Sequence, residues 1–229
     1  MKQMLLLSNS MSFNGEFLEH CESGINNFLT DINEVLIIPY AKKDYDAYFE
    51  HIEPFFKNKN KKLISIHKSD PVEAINAAKA IYIPGGNTFR LLNELYKNDI
   101  LALIKEKVED GVRYIGSSAG SNLACPTIMT TNDMPIIYPK SLDALGLIDF
   151  QINCHYLDKD PNFPHNGESR EDRIREYLEF NNSPVVGLRE DTWLECNDDQ
   201  TFLKGKDSAV LFRKGKVREE IKPNSSIKL

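Results

Sequence analysis

At 229 residues the chain is long enough to bury a substantial core in one large domain or two small ones. Hydrophobic residues make up 41% and charged residues 27%, a globular composition that excludes a fibrous or disordered chain. The net charge of −6, the pI of about 5.5 and the scattered lysines argue against a nucleic-acid partner, which needs a concentrated basic face.

The first element in chain order is a buried strand, "MLLLS" at 4–8. Its apolar run is too short for a signal-peptide core, and no run approaches the roughly 20 apolar residues that span a bilayer. Further strands are expected at "EVLIIPY" (34–40), "KLISIH" (62–67), "AIYIPGG" (80–86) and "VRYIGSS" (112–118). Between them lie "FLEHCESGINNFL", "YDAYFEHIEPFFK", "PVEAINAAK" and the stretch 88–111, with apolar residues spaced by three and four as in amphipathic helices. This alternation predicts right-handed βαβ units and an α/β fold: a mostly parallel sheet, buried by helices on both faces.

After residue 125 the rhythm changes. Residues 125–150 are rich in Pro, Asn and Asp and read as a loop with short β pieces. "QINCHY" (151–156) and "PVVGLRE" (184–190) read as strands. "SREDRIREYLEF" (169–180) reads as a helix capped by Ser169, with Asp172 at the capping-box position. The tail has turns at Asp198-Asp199, Gly205 and Gly215 and should form short antiparallel strands. No repeat or linker interrupts the chain, so one domain over 1–229 is expected. The four cysteines, Cys21, Cys125, Cys154 and Cys196, form no C-x-x-C pair and read as reduced buried thiols in a cytoplasmic protein.

Ligands of an open α/β sheet bind beyond the C-terminal ends of its strands. Gly85-Gly86-Asn87, Ser118, His155 and Glu190 all fall at such ends. "GSSAG" (116–120) has the G-x-S-x-G form of a nucleophile elbow, which exposes a serine on a sharp strand-to-helix turn. The Ala119 amide then opens a helix where it can stabilise an oxyanion, and the Gly86 amide is the candidate second donor. Asn87 either caps the next helix or touches substrate.

Of five histidines, His20, His51 and His67 fall in elements away from this edge, and His165 lies in the polar loop "NFPHNG". His155 ends a strand and is the preferred base. Its neighbour Cys154 points to the opposite face and reads as core. The third member is either Glu190, giving the order Ser–His–Glu, or Asp133, giving Ser–Asp–His; triads are defined by geometry and not by order. No G-x-G-x-x-G, G-K-[ST] or H-E-x-x-H is present, so neither a nucleotide cofactor nor a metal is expected.

"LLLSNS", "IPGGNTFRLL", "GSSAGSNLACPTIMTTNDMPI", "QINCHY" and "GESREDRIRE" together resemble the peptidase E family of α-aspartyl dipeptidases, from the first strand to about residue 195. Cyanophycinase is a relative of that family. The resemblance implies a class I glutamine amidotransferase-like (flavodoxin-like) fold and a serine peptidase cleaving dipeptides with an N-terminal aspartate. It matches the family's serine to Ser118, its histidine to His155 and its acids to both Glu190 and Asp133. Glu190 is favoured as the direct partner of His155, with Asp133 organising the site or the substrate's amino group. The elbow departs from the family's commonest form at Ser117 and Ser121, changes that remove no catalytic group. The implied substrate needs a cation for its side chain, and Arg170 and Arg173 share a helix face at spacing three. The alternatives are a cyanophycinase-like β-aspartyl hydrolase, an esterase, and a non-catalytic binding domain that keeps the elbow as architecture. A small peptide is the expected partner, and oligomeric state is not legible.

Overall fold

The computed structural model describes residues 1–160, 167–198 and 200–228, so that His165 and Asp199 lie outside the described residues. The main sheet has seven strands: β1 (Gln3–Leu7), β2 (Glu34–Ile37), β3 (Lys62–Ser65), β4 (Ala80–Ile83), β5 (Arg113–Ser117), β8 (Thr192–Asn197) and β9 (Gln200–Gly205), in the order β3-β2-β4-β5-β1-β8-β9. The first five run parallel, as the βα alternation predicts, and β8 and β9 add antiparallel strands beyond β1.

Alternation along each central strand explains why both faces are covered. Met4 and Leu6 of β1, with Ile81 and Ile83 of β4, join one core. Leu5 and Leu7, with Ala80 and Tyr82, join the other. The first core is completed by α4 (Thr88–Lys97), α5 (Leu101–Glu109) and α6 (Ala119–Ala124), through Leu91, Leu95, Ile104 and Leu123. The second is completed by α1 (Glu22–Phe28) and α2 (Tyr45–Lys57), through Ile25, Ile52 and Phe56. Each such buried side chain contributes about 1.5–3 kcal/mol over its exposed state. A further helix, α3 (Pro71–Ala77), starts on Asp70, which accepts from the Glu73 amide, with Pro71 in the first turn.

The two strands that end at His155 and near Glu190 do not extend this sheet. They are β6 (Gln151–Cys154) and β7 (Val185–Leu188), which pair in parallel in a separate sheet with β10 (Ala209–Phe212) and β11 (Glu219–Ile221), in the order β11-β10-β7-β6. The helix expected at 169–180 is α7 (Arg170–Phe180), and its capping box forms as predicted: Ser169 accepts from the Asp172 amide and Asp172 from the Ser169 amide. The strand ends that carry the candidate residues thus come from two sheets. Ile152, Val186 and Leu188 bind the second sheet into the first core. Among the described residues no helix is long and apolar enough to cross a membrane.

Candidate active site

Ser118 follows β5 at φ 51° and ψ −105°, outside the regions ordinarily open to a side-chain-bearing residue. Such a conformation costs about 1–3 kcal/mol and persists only when its surroundings over-determine it. Here the Ser118 amide donates to the Leu7 carbonyl at 3.0 Å, and the Ser118 carbonyl accepts from the Asn122 amide at 2.9 Å. The flanking glycines let the turn close: a Cβ on Gly120 would fall 1.9 Å from the Ile83 carbonyl oxygen. Ser117, by contrast, is fully buried, its hydroxyl bonded to Ser10 and Tyr82.

The Ser118 hydroxyl lies 2.8 Å from His155 Nε2, and His155 Nδ1 lies 2.6 Å from Glu190 Oε1. His155, directly after β6, also turns at a positive φ, 53°, uncommon for a residue with a side chain. Ser8 fixes that turn. Its hydroxyl accepts from the His155 amide at 2.9 Å and donates to the Leu188 carbonyl at 2.7 Å, tying the ends of β1, β6 and β7 together. Glu190 is held through the next residue: the Asp191 amide donates to Asn9 Oδ1, while Asn9 Nδ2 and the Ser12 hydroxyl donate to Asp191 Oδ1. Burial raises the Asp191 carboxyl, but these hydrogen bonds outweigh it and hold the group below the usual carboxylate range. Ser8 and Asn9 sit in the "LLLSNS" run, where the sequence signals only a strand and its polar end.

The remaining candidates separate. Asp133 makes no hydrogen bond or ion pair with His155, whose ring nitrogens face Ser118 and Glu190. Its Oδ2 accepts from the Thr88 amide at 2.7 Å and from the hydroxyls of Thr88 and Thr131, satisfying the start of α4. The Ser–Asp–His arrangement is therefore absent, because this carboxylate is committed to a helix N-terminus. Asn87 is likewise engaged at both ends. Oδ1 accepts from the Arg90 amide as the α4 cap, and Nδ2 donates to the Met134 carbonyl. Of its two expected uses, capping is the observed one, with one Nδ2 hydrogen placed on the Met134 carbonyl and the other outside both bonds.

The amides of Gly86 and Ala119 donate to no described residue. Cys154 is buried, as its strand position predicts, and burial pushes its thiol well above the usual range. Of the histidines outside the site, His51 packs edge-on to Phe17 and His67 bonds Ser65 and Asp46. His20 is closer to the site than the sequence suggests. Its side chain is buried 3.9 Å from Asp191 with neither ring nitrogen hydrogen-bonded, and burial lowers its pKa.

A cleft of about 510 Å³ lies between α7 and the segment after β6, lined by Asn132, Leu157, Asp158, Lys159, Arg170 and Arg173 among others. It adjoins His155 through Asn132, whose side-chain Nδ2 donates to the Cys154 carbonyl. The two arginines differ. Arg173 is more than half exposed and 3.6 Å from Glu168, whereas Arg170 is half-buried and pairs with no described carboxylate. Burial, then the nearby charge of Arg173, lowers the pKa of Arg170. A second cavity, about 380 Å³, opens at the opposite ends of β2 and β4 beside α3, away from Ser118. Among the described residues no three His, Cys, Asp or Glu side chains gather as a metal would require.

The model of Peptidase family S51 matches residues 4–204. The chain belongs to peptidase family S51. Among relatives of this S51 peptidase, Peptidase E of Streptomyces coelicolor is 41% identical over 225 residues, covering 98% of this chain and 93% of the relative. A Drosophila melanogaster protein named "Probable alpha-aspartyl dipeptidase" is 38% identical over 97% of this chain and 94% of its own. The solved structure of a peptidase from an acI-B1 actinobacterium superposes with a TM-score of 0.72 at 16% identity, over 100% of this chain and 97% of that one, a likeness of fold.

Proposed function

We propose that this S51 peptidase hydrolyses dipeptides carrying an N-terminal aspartate through an acyl-enzyme on Ser118. The observation that carries this is the continuous hydrogen-bonded chain from Ser118 Oγ through His155 to Glu190. Ser118 Oγ attacks the scissile carbonyl as His155 Nε2 takes its proton. His155 then gives that proton to the departing amine as the C–N bond breaks. Water, deprotonated by the same imidazole, cleaves the ester and restores the Ser118 hydroxyl. Glu190 holds the ring through Nδ1 and stabilises the imidazolium that forms in both steps. The amides of Gly86 and Ala119 receive the oxyanion.

Arg170 is the proposed ligand of the substrate's aspartyl carboxylate. A half-buried guanidinium that pairs with no described carboxylate gains most from a bidentate anion and loses most when a neutral side chain enters. The name of the Drosophila relative agrees with this choice. Arg173, paired with Glu168, contributes general positive potential. We also propose that the chain acts as one domain in the cytoplasm. Its four cysteines are all unpaired and buried, as suits a reducing compartment.

The test is hydrolysis of Asp-Leu beside Asn-Leu, Glu-Leu, N-acetyl-Asp-Leu and a β-aspartyl dipeptide, with Ser118→Ala as control. Cleavage confined to free Asp-Leu and lost in the variant is expected. Equal cleavage of Asn-Leu would remove Arg170 from the substrate pocket, and preference for the β-linked peptide would replace the α-aspartyl assignment.

A further inference from the structure

Tyr48 lies outside the Ser118–His155–Glu190 chain, yet its hydroxyl grips the turn facing it. It stands on α2, and its hydroxyl donates a 2.7 Å hydrogen bond to the Gly85 carbonyl oxygen. Burial pushes the phenol's pKa up, so the donor is a neutral hydroxyl throughout the neutral range.

The Gly85 carbonyl and the Gly86 N–H are the two ends of one peptide group. Among the described residues there is no cis peptide bond, so this unit is trans and planar, and its C=O and N–H point in opposite directions. Tyr48 and α2 pack on the face of the main sheet that α1 also covers, while α6, which begins just after Ser118, packs on the other. A carbonyl drawn toward Tyr48 therefore turns the Gly86 N–H toward the side on which Ser118 sits. The turn passes directly against the serine, since a Cβ on Gly85 would lie 3.3 Å from Ser118 Cβ. Gly86 itself is at φ 138°, and a Cβ there would fall 2.6 Å from the Ala41 carbonyl oxygen, so that position is held to glycine.

Two adjacent glycines make a peptide that rotates easily unless something holds it. We propose that Tyr48 is a positioning residue for the oxyanion site, holding the Gly85–Gly86 peptide with the Gly86 N–H aimed at the oxygen of the tetrahedral intermediate. It rests on Ser118 acting as the nucleophile. The hydroxyl is the working group and the ring is packing: α2 presents it from the far side of the peptide, so it orients the donor without touching substrate. A donor fixed before the reaction needs no reorganisation as charge develops.

Tyr48→Phe removes one oxygen and keeps the ring. The expected result is a fall in kcat of about 10- to 100-fold, less than or comparable to deleting a donor outright, with KM for Asp-Leu within about twofold. The aldehyde analogue of aspartate, which forms a hemiacetal oxyanion with Ser118, should bind more weakly by the same factor as kcat falls. Binding of uncleaved Asp-Leu, measured in a Ser118→Ala background, should be unaffected by Tyr48→Phe. Unchanged kcat and aldehyde affinity would overturn the proposal. So would a loss shared equally by uncleaved Asp-Leu, or one accounted for by lowered thermal stability. If Ser118→Ala alone still turned over Asp-Leu at the wild-type rate, the nucleophile assignment would fall; if it is inactive and Tyr48→Phe is normal, only the role of Tyr48 falls.

Discussion

Around Ser118 the chain is held by backbone packed on backbone, whereas around His155 and Glu190 it is held by side-chain hydrogen bonds and ion pairs. A Cβ on Gly116 would fall 2.6 Å from the Gly120 carbonyl, and Gly120 has still less room. The residues of α6 are all buried. His155 and Glu190, by contrast, have side chains 41% and 45% exposed. Behind them Arg189 pairs with Asp158 and Glu220, and Arg218 with Asp158 and Glu171, tying β7, β11, α7 and the segment after β6 together. Steric closure leaves Ser118 one position and makes substitution of its flanking glycines a folding defect. Polar support lets the half that carries His155 and Glu190 lose a group and keep its fold.

That contrast orders the expected effects of substitution. Gly120→Ala forces a Cβ into the Ile83 carbonyl and should cost at least about 4 kcal/mol, seen as loss of soluble protein or a collapse in Tm. A stable, active Gly120→Ala protein would break the comparison at its strongest point. Glu190→Gln should leave Tm within a few degrees but lower kcat by roughly 10²- to 10⁴-fold, because a neutral carboxamide does not stabilise the imidazolium and its N–H can donate to Nδ1, favouring the wrong tautomer. Asp133→Ala should do the reverse. Loss of the cap on Thr88 should cost about 1–2 kcal/mol in denaturant unfolding, with kcat reduced far less than in Glu190→Gln. A kcat defect as deep as that of Glu190→Gln would return Asp133 to the chemistry.

The smallest effect expected is on pH. Burial raises the Asp158 carboxyl, but its hydrogen bonds to Arg189 and Arg218 outweigh that and hold it below the usual range; the Arg189 hydrogen bonds do the same for Glu220. Carboxyls lowered in the folded state stabilise it fully above their unfolded pKa of about 4, and that support is lost as pH falls through the lower folded values. Amide hydrogen exchange, corrected for its intrinsic pH dependence, should therefore show β10 and β11 losing protection below pH ~4 before β1, β4 and β5 do. Uniform loss across both sheets would show that the ion pairs do not support the second sheet separately.

Much of this was legible in the sequence because it is written locally. Apolar runs such as 80–83 mark strands buried on both faces, G-x-S-x-G marks a tight elbow, and Ser169 with Asp172 marks a helix start. His155 and Glu190 could be singled out as residues at strand ends. What was not legible depends on long-range placement. The parallel pairing of β6 with β7 in a second sheet is set by packing between distant segments, and no period-two pattern encodes it. Ser8 meets the His155 amide across 147 residues of sequence, and Tyr48 reaches Gly85 from another helix. Asn87 and Asp133 divide along the same line. Short polar side chains beside a helix start serve that helix first: capping was one of the two roles legible for Asn87, whereas the acceptor role of Asp133 at Thr88 depends on a contact across 45 residues of sequence.

The most direct test of the account is to compare kcat for Asp-Leu in Ser118→Ala, His155→Ala, Glu190→Gln and the triple variant, each shown to be folded. If the two halves form one catalytic unit, the triple variant retains the same residual rate as Ser118→Ala alone, because once the nucleophile is gone the base and acid have nothing to act on. Losses that multiply across the three substitutions, or a Ser118→Ala protein that still cleaves Asp-Leu at an appreciable rate, would contradict the assignment of Ser118, His155 and Glu190 to a single catalytic unit.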